Sequence, residues 1–400
     1  MIDFSLSEQQ ENVRGMIHWF AENEVRPIAL ESDRAHRIPP EFLQKVKDLG
    51  ISMGGLPKEL GGEGLGDKKD KGIKQANRLA VLGAEEMAWG DPAIILTLPG
   101  PGLGGPPIAI MGTEEQKAKY LGVFKAPEPR WGAYGLTEPI AGSDVAGIRT
   151  TARKDGNHWV LNGRKCFITN GARASWVVIF ATIDASKGRA GHRAFVVEKG
   201  TPGFSVGKIE EKMGLRASET AELVLEDVRV HEDCLLGGEA YYEGKEGFMG
   251  AMKTFDTTRP MVAAMAVGIG RAAYEKAIEF SKEHFDLGRP VARYHQVEEL
   301  IAKSKRRLEA ARMLTWRAAW MADAGISNAK EASMSKAYAA RAAVDTLSDL
   351  TQVMGAAGVI NDNLVEKWFR DIRVYDIFEG TGEIQRIVIS KRILKDLKSF

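Results

Sequence analysis

The hydrophobic period changes twice along this chain of 400 residues, and this change constrains the fold more than any other feature. Up to about residue 128 apolar residues recur at helical spacing, and from about 129 to 238 short apolar runs between turn residues predict strands. Long alanine-rich stripes of helical period then return. Because helices and strands form separate blocks, a doubly wound parallel sheet is excluded. The sequence predicts an α+β multidomain protein with an N-terminal α-helical domain (1–128), a middle β-sandwich or barrel (129–238) and a C-terminal helical bundle (239–400).

Local signals indicate where several elements begin and end. Ser7 and Gln10 have the spacing of a capping box at the start of the first helix. Asn162 and Gly163 favour a type I′ turn, so residues 158–169 predict a β-hairpin around them. Two glycine-rich stretches, residues 54–66 and 98–107, predict loops within the first block.

The composition excludes several classes of protein. A formal charge of +1 and 44% apolar residues are typical of a globular protein and do not indicate a nucleic-acid partner. Two cysteines cannot form a disulfide framework, no apolar run approaches the roughly 18 residues of a membrane helix, and the first residues lack a signal-peptide pattern. We therefore expect a cytoplasmic protein without membrane insertion. The seven histidines show no zinc-ligand spacing, so no metal site is predicted.

One candidate for chemistry is the carboxylate of Glu379, which follows two apolar residues. A carboxylate acts as a base near neutral pH only when burial raises its pKa from about 4.3, and the apolar Ile377 and Phe378 suit such a dry pocket. Gly380 would let a ligand approach the backbone closely. The alternative interpretation is a surface glutamate before a helix capped by Thr381.

A second candidate segment, residues 134–144, lies far from Glu379 in the sequence. It runs through Thr137 and Pro139 to Gly142 and Ser143, without the spacing of a phosphate-binding glycine loop. Taken alone, it predicts a turn.

Together the two segments resemble the acyl-CoA dehydrogenase family, and the resemblance extends over nearly the whole chain. It includes the pattern IFEGTGEIQR around Glu379. The resemblance implies a helical domain, a β-barrel and a four-helix bundle, FAD as cofactor, and a homotetramer acting in fatty acid metabolism. It also implies α,β-dehydrogenation of an acyl-CoA to the 2-enoyl-CoA. Glu379 would remove the α-proton, the β-hydride would pass to flavin N5, and an electron-transferring flavoprotein would accept the electrons.

The resemblance also implies the residues of the site. The backbone N–H of Glu379, together with a hydroxyl of the flavin's ribityl chain, would bind the thioester carbonyl. The expected substrate-binding residues are Ser143, Asp256, Arg259 and Gly380. The expected FAD-binding residues are Tyr134, Leu136, Thr137, Gly142, Ser143, Phe167, Ile168, Thr169, His284, Asp286, His295, Gln296, Gln352, Gly355, Ala356, Thr381 and Glu383.

Alternatives stay open for three of these residues. Phe167 stands where the family often has tryptophan, and its alternative is a plain core position of the β domain. Asp256 and Arg259 belong to a segment expected to open a long helix, and their alternative is an i,i+3 ion pair. Some relatives carry their catalytic glutamate at position 258. Thr258 therefore supports the choice of Glu379.

The distal FAD site departs from the family pattern. Many relatives have an arginine for the pyrophosphate where this chain has His284, and Asp286 would repel phosphate. Either FAD binds more weakly, or Arg289 or Arg293 replaces that arginine. Ala356 stands where glycine is usual, in a segment that reaches a neighbouring subunit's FAD in the family.

Two other functions are compatible with the sequence. One is a flavin-dependent acyl-CoA oxidase of the same fold, and the other is a cofactor-incomplete subunit of a hetero-oligomeric dehydrogenase. The acyl pocket is expected partly along residues 96–105, where no arginine is present to hold a second carboxylate. A dicarboxylic acyl-CoA is therefore disfavoured, whereas straight, branched and cyclic acyl groups stay open.

Overall fold

The computed structural model describes residues 4–51, 69–70, 72–243 and 247–397. The first block is helical, and the capping box predicted at Ser7 and Gln10 is confirmed, with Gln10 N–H 3.3 Å from Ser7 Oγ. The loop predicted at residues 54–66 lies outside the described residues. The helices of this block are α1 (Glu8–Phe20), α2 (Ala29–Ala35), α3 (Pro40–Asp48), α4 (Ala76–Gly90), α5 (Pro92–Ile95), α6 (Gly105–Met111) and α7 (Glu114–Gly122), with a short pair β1 (Lys69–Asp70) and β2 (Ile73–Lys74) before α4.

The middle block is a seven-stranded sheet within the described residues. Its spatial order is β3-β6-β4-β5-β9-β8, and β7 pairs with β6. Strands β3, β6 and β7 form one part of the sheet and β4, β5, β9 and β8 the other, and the two parts are joined where β4 and β6 pair at Thr151 and Thr182. Strand β6 is buried along its whole length because both of its faces are covered. The strands are β3 (Gly132–Gly135), β4 (Thr151–Asp155), β5 (His158–Thr169), β6 (Trp176–Thr182), β7 (His192–Glu198), β8 (Phe204–Ile209) and β9 (Thr220–His231).

The hairpin predicted around Asn162 and Gly163 is wrong. Both residues lie inside one continuous strand, β5, which pairs antiparallel with β9 and shifts register between Leu161 and Gly163. The turn lies earlier, at Gly156 and the residue after it, where β4 meets β5. Gly163 serves close packing, because a Cβ there would lie 2.5 Å from Thr150 Oγ1.

The third block returns to helices, and four long ones, α9, α10, α11 and α13, form the predicted bundle. The three-part fold class is confirmed. The elements are α8 (Gly238–Glu243), α9 (Gly247–Glu283), β10 (Phe285–Asp286), β11 (Arg289–Pro290), α10 (His295–Asp323), α11 (Ala329–Met354), α12 (Leu364–Asp371) and α13 (Gly382–Leu397). Among the described helices, none combines the length and the apolarity needed to cross a membrane.

A buried charge cluster joins the three blocks. Lys367 on α12 donates to Asp91, at the start of α5, and to Asp371 at 2.6 Å. The other oxygen of Asp371 accepts from the backbone N–H of Leu215, 2.6 Å away, which follows β8. Burial alone would lower the pKa of Lys367, but the two carboxylates raise it above its usual range. This cluster fixes the end of α12, from which the chain leads to Glu379.

Candidate active site

Glu379 lies in a tight turn between α12 and α13, in an uncommon backbone conformation. Its φ is +57° and that of Gly380 is +90°, both in the left-handed region that side chains rarely adopt. Gln385, buried on α13, donates through Nε2 to the carbonyl oxygens of Glu379 and Gly380, at 3.1 and 3.0 Å. Within the described part of the chain, the N–H of Glu379 donates no hydrogen bond. It therefore remains available to a ligand.

The carboxylate of Glu379 is held on one side only. Oε2 accepts from the hydroxyl of Thr258 on α9, 3.0 Å away, whereas the buried Oε1 has no partner in the described structure. Burial raises the pKa of Glu379, which outweighs the lowering by the Thr258 hydrogen bond and by the charges of Arg259 and Lys336. The result is a carboxyl whose proton affinity is raised toward that of a base.

Tyr134 on β3 faces the same point from the middle domain. Its ring contacts Phe180 at 5.0 Å and Phe255 at 6.3 Å between centroids. Its hydroxyl is buried without a partner in the described structure. Burial, and then the negative charge of Glu379, raise the pKa of Tyr134 above its usual range. Two buried polar groups without partners thus meet at one place, as expected where a polar ligand completes the hydrogen bonding.

The segment after Tyr134 is anchored by a buried ion pair that the sequence did not indicate. Lys165 on β5 donates to Glu138 Oε1 at 2.6 Å and to the carbonyl of Leu136 at 3.1 Å. Thr137 accepts from the backbone N–H of Cys166, 2.9 Å away. Burial alone would raise the pKa of Glu138, but Lys165 and the hydrogen bonds bring it below its usual range. The structure therefore fixes residues 136–138 against the end of β5.

That end of β5 carries the next three candidate residues. Phe167 has a φ of +58°, and 64% of it is exposed, which contradicts its alternative as a core residue. Its neighbour Ile168 is buried, and Thr169 is half-buried. Gly142 and Ser143 are exposed on the loop after residue 138. An aromatic face presented to solvent beside residues 136–138 suits contact with a flat ring.

Asp256 and Arg259 lie within α9 rather than at its start. The helix begins at Gly247, so the prediction that this segment opens a helix is wrong by several residues. The helix continues through Pro260, which is buried. Arg259 Nη1 lies 3.6 Å from Asp256 Oδ1, so the ion pair that was their alternative is present. Arg259 also lies close enough to Glu379 for each charge to influence the other's pKa.

The predicted distal residues form two groups away from Glu379. His284 stacks on Phe280 at 3.7 Å, with Nδ1 3.0 Å from the Phe280 carbonyl, and it is exposed. It directly follows the end of α9, and the 26 residues from Thr258 to His284, at about 1.5 Å each, place the two about 39 Å apart along the helix. His284 therefore lies well away from Thr258, which holds the carboxylate of Glu379. The first group lies after α9 and contains His284 with the exposed Asp286, His295 and Gln296. The second group lies at the end of α11 and contains the exposed Gln352, Gly355 and Ala356.

Among the described residues, no carboxylate forms an ion pair with Arg289 or Arg293, the two arginines considered as FAD phosphate ligands in place of His284. Arg289 covers the ring of Tyr294 at 3.9 Å, and Tyr294 donates to the carbonyl of Asp286 at 2.8 Å. Arg293 is exposed. Large apolar side chains next to these groups are exposed, including Leu287 at 90% and Val359 at 66%.

The remaining candidates surround the turn of Glu379. Thr381 Oγ1 accepts from the N–H of Ile384 at 3.4 Å, so the cap expected of the alternative interpretation is also present. Glu383 is exposed in the first turn of α13. The sequence missed Lys336, whose ammonium donates to the Gly380 carbonyl at 2.8 Å. The feature of the sequence that could have indicated Lys336 is the presence of a lysine on the apolar stripe of a predicted helix. In the described part of the chain, no group of three or more metal-ligating side chains converges.

Similarity to known proteins extends over nearly the whole chain. Residues 7–125, 133–228 and 245–394 match the family models "Acyl-CoA dehydrogenase, N-terminal domain", "middle domain" and "C-terminal domain". The chain is 41% identical to a short-chain specific acyl-CoA dehydrogenase of Clostridium acetobutylicum, over 98% of this chain and 100% of that protein. It is 39% identical to the 3-(aryl)acrylate reductase of Clostridium sporogenes, over 97% and 99%. The solved butyryl-CoA dehydrogenase of Megasphaera elsdenii superposes with a TM-score of 0.89 at 36% identity, over 98% and 100%.

Proposed function

The chain belongs to the acyl-CoA dehydrogenase family, and from that premise we propose that Glu379 is the base that removes the α-proton of an acyl-CoA thioester. The enzyme is an oxidoreductase of the acyl-CoA dehydrogenase type. The observation that carries the proposal is the carboxylate itself. It combines a pKa raised by burial, one oxygen held by Thr258, and a second buried oxygen that has no partner among the described residues.

The backbone around Glu379 suits the acidification of the α-carbon. Both carbonyl oxygens of the Glu379–Gly380 turn accept from donors of the protein, whereas the Glu379 N–H donates to none of the described residues and can meet a ligand. A backbone N–H directed at a thioester oxygen stabilises the negative charge that develops when the α-proton leaves. The Thr258 hydroxyl donates to the charged form of the carboxylate, and so partly offsets the rise in the pKa of Glu379 that burial causes.

The residues present fit an FAD at this place. The buried hydroxyl of Tyr134 has no partner in the part of the chain that the structure describes, and Phe167 exposes an aromatic face beside residues 136–138. Tyr134, Leu136, Thr137 and Phe167 to Thr169 would hold its ring, with Gly142 and Ser143 on the adjoining loop. Bound FAD would supply the acceptor for the β-hydride. The protein's own part is to hold the carboxylate, the ring and the thioester together in a water-poor site.

The distal residues would contribute to the FAD of a second copy of the chain. His284 lies well away from Thr258 along α9, and the exposed apolar residues Leu287 and Val359 lie beside the two distal groups. Exposed apolar surface of this kind marks a subunit contact. We propose a homotetramer in which each FAD site is completed between two subunits. The two distal groups would come from one subunit, and Thr381 and Glu383, next to Glu379, from the other.

A second function uses the same residues in the opposite direction. The relative from Clostridium sporogenes is named a reductase. A carboxyl with a raised pKa can deliver a proton to the α-carbon of a 2-enoyl thioester as readily as it can remove one. The direction depends on the electron partner, for which an electron-transferring flavoprotein is the proposal.

The segment expected to line the acyl pocket is firmly attached. Leu96 and Thr97 accept through their carbonyl oxygens from Asn170 at 3.2 Å and from Trp131 at 2.7 Å. Gly100 exchanges backbone hydrogen bonds with Arg130 and Gly132 at 2.8 and 2.9 Å. This attachment favours a pocket of fixed shape, so that acyl groups are selected by size.

The purified protein tests the proposal directly. We expect bound yellow flavin, and acyl-CoA-dependent reduction of an artificial electron acceptor across a panel of straight, branched and cyclic acyl-CoAs. Peroxide formation in air without an acceptor would instead identify an oxidase. A flavin-free protein that stays inactive after addition of FAD would contradict the proposal and support the incomplete-subunit alternative. Reduction of an enoyl-CoA by a reduced dye would identify the reductive direction.

A further inference from the structure

A fully buried lysine lies beneath the turn that carries Glu379. Lys336 is on the bundle-facing side of α11, with none of its surface exposed, and its ammonium donates to the carbonyl oxygen of Gly380 at 2.8 Å. A buried ammonium is costly, and neighbouring buried positions of α11 hold alanine, such as Ala332 and Ala340. The position therefore calls for an explanation beyond packing.

The turn above Lys336 needs to be held in place. Glu379 and Gly380 are consecutive left-handed residues, with φ values of +57° and +90°, and a non-glycine residue persists there only when its surroundings fix it. The Gly380 carbonyl receives two donors, Nζ of Lys336 and Nε2 of Gln385. Gln385 alone would already satisfy that oxygen. The lysine adds a positive charge at a fixed place near the carboxylate.

The charges around Lys336 come from every side of the turn. Burial, partly offset by the nearby carboxylates, lowers the pKa of Lys336 to about 8. Lys336 and Arg259 are the cations that lower the pKa of Glu379 against its burial. The groups that face this pair are Asp376 in the turn, Glu383 on α13, Arg259 on α9 and Tyr134 on β3.

We propose that Lys336 is a positioning residue, which holds the Glu379–Gly380 turn through the Gly380 carbonyl and sets the electrostatic field at the carboxylate of Glu379. The inference rests on the proposed role of Glu379 as the base. Lys336 itself touches neither the substrate nor a reacting atom. It acts through the backbone that presents both the carboxylate and the N–H of Glu379.

The test compares Lys336→Met with Lys336→Arg in the holoenzyme. Methionine removes the donor and the charge at similar volume, whereas arginine keeps both. With the best acyl-CoA of the panel and an artificial acceptor, we expect Lys336→Met to lower kcat roughly tenfold to a hundredfold, as for a small misplacement of a catalytic group. We expect its acid limb in the kcat–pH profile to move up by about one unit, because a positive charge near Glu379 is lost.

Lys336→Arg should keep the acid limb of the kcat–pH profile at the wild-type pH, even if its kcat is below that of the wild type. The matched control is Lys330→Met on the same helix, half-buried and 3.8 Å from Glu331, which should leave kcat and the profile unchanged. A merely structural lysine predicts a different outcome, in which both Lys336 variants lose thermal stability and rate while the acid limb stays in place. That outcome overturns the inference. If Lys336→Met fails to fold, Lys336→Gln replaces it, and an unmoved limb again refutes the proposal.

The roles of Glu379 and Lys336 are tested by separate variants. If Glu379→Gln retains activity, the base is another residue and the proposed function fails. If Glu379→Gln is inactive while Lys336→Met keeps the wild-type rate and profile, only the role of Lys336 is wrong.

Discussion

Replacement of Lys165 by methionine tests how the chain anchors residues 136–138. The ammonium of Lys165 and the carboxylate of Glu138 are 0% and 4% exposed and lie 2.6 Å apart. In Lys165→Met, Glu138 keeps only the backbone N–H groups of Arg149 at 2.6 Å and Thr150 at 2.9 Å. The carbonyl of Leu136 loses its donor as well.

The magnitude follows from the burial of the pair. Removal of one partner of a buried ion pair costs about 3–5 kcal/mol, because a charge stays behind in a dry site. Two remaining backbone donors place the expected loss toward the lower end of that range. At about 2–4 °C per kcal/mol for a cooperative unit of common domain size, the apparent Tm should fall by roughly 6–12 °C. FAD affinity should fall too, since residues 136–138 lose their anchor.

The assay is thermal unfolding of the holoenzyme and the apoprotein, with Lys165→Met/Glu138→Gln as the matched double variant. Removal of both charges should be less harmful than removal of one. The deficit of the single variant should also shrink toward pH 5. Without Lys165 the pKa of Glu138 rises above its unfolded value, so stability is lost as pH increases through that region. A single variant within about 1 kcal/mol of wild type, or a double variant no better than the single one, refutes the reasoning.

Two further predictions concern the distal FAD residues. Light scattering should give about 175 kDa, four times the 43.8 kDa chain, and a monomer that still binds FAD tightly would exclude a site shared between subunits. His284→Arg should tighten FAD binding to the refilled apoprotein by roughly tenfold or more, because a guanidinium can pair with two phosphate oxygens, whereas His284 has one nitrogen already directed to the Phe280 carbonyl. Unchanged or weaker binding would show that other residues hold the phosphates.

The order of helices, strands and helices was predictable because each period reports burial over many residues. The Asn162–Gly163 hairpin was not, because a short turn signal competes with tertiary packing. Gly163 is required by the close approach of Thr150, and the chain turns at Gly156 instead. A local rule cannot distinguish a glycine that turns the chain from one that makes room for a neighbour.

Site residues that belong to a sequence motif could be predicted, whereas residues placed at the site only by tertiary packing could not. Glu379 stood out because an apolar stretch precedes it and glycine follows. Lys165 and Lys336 belong to a strand and a helix whose neighbours are apolar, and only the fold reveals their partners. The sequence signal of Lys336 is a charged residue among the alanines of a helical stripe, and Lys165 has no comparable signal. Such lysines merit the same attention as motif residues, because a buried charge must have a partner.

The activity of Glu379→Gln tests the central claim most directly. The amide keeps the shape of the side chain but cannot accept the α-proton, so kcat should fall by about a hundredfold or more while the flavin stays bound. The variant should be at least as stable as wild type at neutral pH, because burial raises the pKa of Glu379 and the ionised carboxylate therefore lowers stability above its unfolded pKa. Glu279→Gln, exposed on α9, serves as the control and should keep full activity. A Glu379→Gln enzyme that retains more than roughly a tenth of the wild-type rate, a loss of less than about 1.4 kcal/mol, would show that another residue is the base.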